Sequence, residues 1–478
     1  MYIGLDLGTS GLKGILIDDT QTVLAEATAP LTVERPHSGW SEQDPAAWIA
    51  AADGVMRALA AQADLGAVRG IGLSGQQHGA VTLDASDAVL RPAILWNDTR
   101  AHVEAAELDA DPRFRAISGN IVFPGFTAPK LVWMARHEPD LRARVAKVLL
   151  PKDYLRLWLT GDHVAEMSDA AGTSWLDTGA RDWSDDLLAA TGLGRDHMPR
   201  LVEGSDVSGT LRAALARDWG LPPGVVIAGG GGDNAASAIG VGVVRPGAGF
   251  VSLGTSGVLF AATQGYAPAP DTAVHSFCHS LPDAWHQMGV ILSATDAVNW
   301  YAGLVGQDAA TLVAEAGPLQ APGSAVFLPY LGGERTPLNN AGIRGGFAGL
   351  AHATDRAAGT RAVVEGVTFA IRDCRDALAR TGTRLDSLIA VGGGSRSDMW
   401  LSMLATALGV VVHRPAAGDF GGAFGAARLG MLAAGASADI LTPPPVERSF
   451  EPDTALADAF DAGHARYAAL RDAIVALG

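Results

Sequence analysis

The chain has 478 residues, 48% of them hydrophobic and 18% charged, too many for one hydrophobic core and too apolar for a disordered chain, so two domains of similar size are expected. Thirty-five Lys and Arg against 51 Asp and Glu leave a net charge of -16, which argues against nucleic acid as a partner but still lets backbone N–H groups and one metal ion neutralise a small phosphate. Two distant cysteines, Cys278 and Cys374, suggest neither a disulfide framework nor a zinc site; no apolar stretch is long enough for a membrane span, and the strand-like run after Met1 leaves no room for a secretory signal, so a cytoplasmic protein is expected.

The first element is a strand running into Leu5-Asp6-Leu7-Gly8-Thr9-Ser10-Gly11, followed by more apolar residues. Next comes a helix over 45–61, with Asp44 near its start and Trp48, Ala52, Val55, Met56 and Leu59 on one stripe. Short apolar runs at 70–73, 224–228 and 388–391 each precede a Gly-rich or polar turn and read as buried strands ending at ligand-facing loops. Between the second and third of these, Val251-Ser252-Leu253-Gly254-Thr255-Ser256-Gly257 repeats the first loop without a gap. The alternation of strands and helices gives an α/β class, and the repeat gives a duplicated domain, 1–245 followed by 246–478, with a hinge expected near Arg245 to Gly249.

Each repeated loop has what a phosphate site needs. Glycines let N–H groups turn toward oxygens, Thr9 and Ser10 add hydroxyl donors, Lys13 adds charge, and Gly254 and Thr255 offer a second cradle. Asp6 can hold a magnesium ion directly or through water; Ser252 stands in its place in the second copy. A plain hairpin turn would have the same local sequence, but two copies favour a nucleotide gripped between related domains. There is no GxxxxGK[ST] loop, and the glycine runs do not continue as a dinucleotide fingerprint. After the strand at 224–228, Asp233 and Asn234 stand on four glycines; Asp233 is either the base that accepts a hydroxyl proton during phosphoryl transfer or a cap of the following helix. Ser74, Gln76, Gln77 and His78, with Trp96, Asn97 and Asp98, are polar groups at strand ends that can read a polyol, although His78 also suits a hydrogen-bonded loop histidine. Gly393, Gly394 and Ser397 would let adenosine lie on bare backbone, or form an ordinary strand-to-helix turn.

Together with WSEQDP, SGQQHG, RPAILWND, PGFTAPK, LLPKDYLR, GGGGDNAA, HSFCH and LPYLGGERTP, taken in order, these segments resemble the FGGY carbohydrate kinases, most closely the bacterial members that act on xylulose. The resemblance covers nearly the whole chain. It implies two ribonuclease H-like domains of the actin and Hsp70 ATPase type around a cleft, with sugar held mainly by the first and ATP mainly by the second. It implies ATP-dependent conversion of D-xylulose to D-xylulose 5-phosphate, with Asp233 as base, Asp6 near Mg2+, and Gln77 and His78 on the ketose. Thr9 and Lys13 would approach the transferred phosphate, Gly254 and Thr255 the ATP phosphates, and Gly393 and Gly394 the adenosine; a homodimer is allowed. The alternatives are a kinase for another ketose or a polyol such as ribulose or glycerol, and a nucleotide-gated binding protein. Three departures from the family pattern stand out. Gln77 replaces a common methionine, Gly332 replaces a common serine, and Ala358-Gly359 is expected to weaken the start of the helix that leads to Glu365.

Overall fold

Two sheets of one design organise the chain in this computed structural model, which describes residues 1–416, 418 and 420–477. The first sheet contains β1 (Tyr2–Leu7), β2 (Gly11–Ile17), β3 (Val23–Pro30), β4 (Gly70–Gly75), β5 (Val207–Thr210) and β6 (Val226–Ala228), in the order β5-β6-β4-β1-β2-β3. Its helices are α1 (Pro45–Gln62), α2 (Thr127–His137), α3 (Pro151–Thr160) and α4 (Asp233–Gly240). Helix α1 begins as its sequence predicts. The Asp44 side chain accepts the Ala46 N–H, Pro45 occupies the first turn, and Trp48, Ala52, Val55, Met56 and Leu59 are buried.

The second sheet repeats the plan with β7 (Gly247–Leu253), β8 (Gly257–Thr263), β9 (His275–Cys278), β10 (Trp285–Ile291), β11 (Leu385–Val391), β12 (Val411–Pro415) and β13 (Val446–Phe450), in the order β9-β10-β8-β7-β11-β12-β13. Its helices are α5 (Thr295–Val305), α6 (Arg356–Ala379), α7 (Asp398–Leu408), α8 (Gly422–Ala433) and α9 (Ala457–Leu477). In both sheets the strand before the LGTSG loop pairs antiparallel with the strand after it and parallel with a later one.

The repeat is gapless in sequence but not in register. Leu7 pairs with Leu12 around the first loop, whereas Leu253 pairs with Gly257 around the second. A one-residue slip reverses which face a side chain takes. Lys13 therefore lies directly across from Asp6, while Ser252 faces Val258.

Helix α8 follows β12 of the second sheet in sequence but packs on the first, against β1, β4 and α4. Its backbone comes so close that a Cβ on Gly425 would lie 1.7 Å from the Ala236 carbonyl oxygen, and Cβ atoms on Gly4 and Gly72 would lie 1.8 Å from the carbonyl oxygens of Ala423 and Ala426.

The expected weak start of the helix leading to Glu365 is not found. Asp355 caps α6 by accepting the Ala358 N–H at 2.8 Å. Gly359 leaves room for the Tyr301 hydroxyl, which a Cβ at that position would meet at 2.2 Å. Gly332 is exposed and touches nothing, so the structure gives its substitution no cost.

Because α4 and α8 meet backbone to backbone, Gly425→Ala should force them apart and destabilise the protein by about 3 kcal/mol. Gly54→Ala, at an exposed position within α1 where a Cβ would meet nothing, should stabilise it by about 0.5 to 1 kcal/mol. Thermal unfolding of the two variants beside the parent checks both signs.

Candidate active site

The sheet register brings the acidic residues together. Asp6 of β1 is paired with Ser74 of β4, and Ser74 is paired on its other side with Gly231, so Asp6, Ser74 and the residues just before Asp233 lie in one row across the sheet. The Ser74 hydroxyl donates to Asp6 Oδ1 at 2.8 Å. Asp233 is the first residue of α4, with Gly232 in the capping position, so its side chain does not close the helix as an N-cap. Its Oδ1 accepts from the Asn234 backbone at 2.7 Å and the Asn234 side-chain amide at 2.9 Å. Burial, with the Asp6 charge beside it, outweighs those bonds and pushes the Asp233 carboxyl up to about 6.

Buried polar groups hold the glycine platform beneath Asp233. Arg156 of α3 donates to the Gly229 carbonyl and, at 2.6 Å, to Asp153, while the Ser168 hydroxyl accepts the Gly232 N–H at 3.1 Å. The segment LLPKDYLR thus supports the acidic residue without reaching the cleft. Asp98 is also structural, because it is buried in an ion pair with Arg100 at 2.7 Å and accepts the Ser41 N–H.

The phosphate loops are braced from outside. The Thr9 carbonyl accepts from Gln43 Nε2 at 2.7 Å and the Ser10 carbonyl from the Leu31 N–H at 2.9 Å. In the second loop, the Gly254 and Thr255 carbonyls accept from Thr295 and Ala294 at the start of α5, at 2.9 and 2.8 Å. With their carbonyls turned to these partners, the Thr9, Ser10, Thr255 and Ser256 N–H groups donate to no protein acceptor among the described residues. The Thr9 hydroxyl sits in a chain in which Trp96 Nε1 donates to it at 3.0 Å and it donates to Gln76 Oε1 at 2.9 Å. Gln76 Nε2 and Trp48 Nε1 both donate to Gln43 Oε1 at 3.0 Å. Trp96, singled out as a sugar contact, thus touches the phosphate loop while its ring stays 45% exposed to the cleft. Lys13 lies 3.1 Å from Glu26 Oε2.

Gln77 lies against Gly232 and donates to the Ser168 carbonyl at 3.2 Å. His78 adopts φ 68°, and its Nδ1 lies 2.7 Å from the Gly172 carbonyl oxygen. A carbonyl only accepts, so Nδ1 carries the proton and Nε2 presents a lone pair. Burial holds the His78 ring well below its ordinary value, at about 3, so it is neutral at pH 7. Lys130, fully buried in PGFTAPK, donates to the His78 and Gly125 carbonyls at 2.7 Å each, and Thr127 donates to the same His78 carbonyl at 3.1 Å. The His78 ring stacks on Phe126 with centroids 4.5 Å apart.

Gly393 and Gly394 form a single tight turn beyond β11, and the Ser397 hydroxyl accepts the Trp400 N–H at 3.2 Å as the cap of α7. The three residues line a cavity of about 640 Å³ with Thr295, Asn299 and Trp400, and a Cβ on Gly393 would meet nothing. The shape and mostly apolar wall suit a flat base. Gln43 and Lys130 went unassigned in the sequence, although the motifs SEQDP and PGFTAPK contain them, because Gln76 and His78, which they hold, are distant in the chain; Ser74 and Gln76, read as polyol contacts, instead hold Asp6 and the Thr9 hydroxyl.

An asymmetric pair of glycine loops and a raised carboxyl at the start of α4 beside Asp6 suit a sugar-phosphorylating enzyme of the actin and Hsp70 type. Residues 1–240 match the N-terminal domain and residues 249–434 the C-terminal domain of the FGGY family of carbohydrate kinases, and the chain belongs to that family. It is 49% identical over 459 residues to the xylulose kinase of Escherichia coli strain K12, with 95% of each chain covered. A crystal structure of a "xyloylose" kinase from Brucella ovis is 62% identical and superposes with a TM-score of 0.99 over 100% of both chains. That of a xylulose kinase from Rhodospirillum rubrum is 30% identical, with a TM-score of 0.92 over 100% of this chain and 99% of the other.

The Lys130 clamp generates a test of how His78 is held. Lys130→Met keeps the length of the stem but leaves the Gly125 carbonyl without that donor and the His78 carbonyl with Thr127 alone, so a loss of about 2 kcal/mol is expected. The KM for sugar should rise together with the fall in thermal midpoint, while the KM for ATP stays close to that of the parent enzyme.

Proposed function

We propose that this chain transfers the γ-phosphoryl group of ATP to the terminal hydroxyl of D-xylulose, giving D-xylulose 5-phosphate and ADP. The placement of Asp233 carries the reading. A carboxylate at the start of α4, beside Asp6 and raised to about 6, is basic enough to take a hydroxyl proton and ionised at neutral pH. The relatives' substrate supports the choice of ketose. Asp233 accepts the proton from the C5 hydroxyl, that oxygen forms its bond to the γ-phosphorus as the bond to the β–γ bridging oxygen breaks, and the electron pair leaves with ADP.

In this reading Gln77, His78, Trp96 and Asn234 orient the ketose, with His78 Nε2 accepting from one of its hydroxyls. Thr9, Ser10 and Lys13 receive the transferred phosphate, Gly254 and Thr255 hold the ATP phosphates, and Gly393, Gly394 and Ser397 line the adenosine cavity. Residues 1–245 form the sugar-binding unit and 246–478 the nucleotide-binding unit, hinged near Arg245 to Gly249. Mg2+ fits the donor set. Asp6 is a hard carboxylate whose Oδ1 accepts from Ser74, and a magnesium ion can take a single carboxylate with its other ligands from phosphate and water. Bound there, it would neutralise charge on the β- and γ-phosphate oxygens. No helix among the described residues is long and apolar enough to cross a membrane, and two free, buried cysteines suit the reducing cytoplasm.

A coupled ADP-release assay over D-xylulose, ribulose, xylitol and glycerol should give the highest kcat/KM with D-xylulose. Turnover should fall as pH drops through about 6, because only ionised Asp233 accepts the proton. The same shift works against folding. A carboxyl raised from 3.8 to about 6 destabilises the fold once ionised, by at most about 3 kcal/mol above pH 6, and that cost disappears as pH falls toward 4. Asp233→Asn should therefore abolish phosphorylation while leaving the thermal midpoint at pH 8 unchanged or higher; near-parental turnover in that variant would sink the mechanism.

A further inference from the structure

The segment LPYLGGERTP is part of the family resemblance, yet the roles above leave it unused. Both neighbours of Arg335 are pinned into the second half. Glu334 is buried, with Oε1 accepting from the Leu292 and Arg335 N–H groups at 3.0 and 2.8 Å. Thr336 donates to the Ala273 carbonyl at 3.0 Å and accepts the Val290 N–H of β10 at 3.0 Å. Arg335, between them, points the other way, across to the first half, where its guanidinium carbon lies 4.9 Å from the centroid of the Phe123 ring.

Phe123 belongs to an aromatic wall. It is 5.5 Å from Phe126 and 5.3 Å from His275, and Phe126 carries the stacked His78 ring. Gly125, between the two phenylalanines, lies against the Trp96 backbone. From Asp233 the contacts lead away in one direction: Gln77 against Gly232, then His78, Phe126, Phe123 and Arg335. Arg335 is half-buried, and a partly desolvated guanidinium calls for hydrogen-bond acceptors, but its side chain has no hydrogen bond or ion pair among the described residues beyond its ring contact. Burial pushes its own pKa down, and its charge helps hold His78 and His275 neutral.

We propose that Arg335 is a substrate-binding residue, supplied by the second half, whose guanidinium fork donates to the C2 carbonyl and C1 hydroxyl oxygens of the ketose, at the end remote from Asp233. Two adjacent oxygens match the spacing of a planar fork, which a lysine ammonium cannot reproduce. This rests on the reading of the chain as a ketose kinase. It makes Arg335 the group that separates a ketose from the pentitol of the same length, because a carbonyl accepts from two donors without presenting a proton of its own.

The test compares kcat and KM for D-xylulose and xylitol in the parent, Arg335→Gln and Arg335→Lys enzymes, with D-xylulose affinity also measured by titration without ATP. Expected are a KM for D-xylulose at least tenfold higher in Arg335→Gln, a smaller but clear rise in Arg335→Lys, and a reduced preference for D-xylulose over xylitol in both, while the KM for ATP moves less than twofold. Folded variants with the parent's KM and affinity for D-xylulose, or with equal losses on both sugars, overturn the assignment. If Arg335→Gln does not fold, Arg335→Lys decides the question on the same measurements. Failure of the parent itself to turn over D-xylulose speaks against the substrate reading, and the ketose it does turn over, with its pentitol, then takes the same comparison.

Discussion

The backbone contact of α8 with β1, β4 and α4 is the constraint on which the site depends. Glycines and alanines on each side let main chain meet main chain, and packing of that density admits no intermediate position. The contact fixes two helix N-termini at one place. A Cβ on Gly422, at the start of α8, would lie 2.8 Å from Asp6 Oδ2 and 2.9 Å from the Ser74 hydroxyl, and α4 begins with Asp233. The positive ends of both helices offset part of the local negative charge. Burial, and after it the Asp6 charge, still raises the Asp233 carboxyl to about 6. That rise is the useful part, because a carboxylate fully satisfied by its surroundings would have no affinity for a hydroxyl proton.

The two LGTSG loops show how a duplicated element becomes asymmetric with few changes. The first is followed by a strand that places Lys13 opposite Asp6, while the second pairs one residue tighter and puts Val258 opposite Ser252. Their support differs too. Gln43, Gln76, Trp96 and the Leu31 backbone, from separate segments, brace the first loop, and the backbone and Thr295 hydroxyl at the start of α5 brace the second. Side chains from separate segments can respond to a sugar bound nearby, whereas a helix end holds a fixed cradle. On the reading proposed above, the first arrangement suits the side where the acceptor would arrive, and the second the side that would keep the nucleotide.

The architecture was legible because its signals are local. Apolar runs ending in glycine turns gave the strands 70–75 and 385–391, Asp44 with Pro45 gave the start of α1, and the repeated heptapeptide gave the duplication. The placement of Asp233 beside Asp6 was not legible, although both residues stood out, because it depends on β4 pairing with β1 on one side and with Gly231 and Gly232 on the other. Nor was the return of α8 to the first sheet, which no local pattern encodes. Reading polar residues at strand ends as sugar contacts went too far for Asp98, which the buried Arg100 neutralises. It missed Lys130, since a lysine on a helix reads as solvated until its buried carbonyl partners are known.

A base able to deprotonate a sugar hydroxyl is also able to activate water, and a kinase must make the second reaction slow. Asp233 sits at the first half's sheet edge, but the wall around the acceptor is neutral and largely aromatic: His78 held without charge, Phe126 beneath it, and Phe123 beyond. Such a wall offers water few hydrogen bonds, and it offers a sugar apolar faces with a few directed acceptors and donors. Arg335 adds a cation to that wall from the opposite half. On the reading proposed above, a water molecule held at Asp233 does not engage that guanidinium, whereas a ketose bound as proposed engages both halves. On that reading, binding energy at the remote end of the sugar would serve to bring the halves together around the phosphoryl group. The selectivity for sugar over water then rests on reach as much as on the acidity of Asp233.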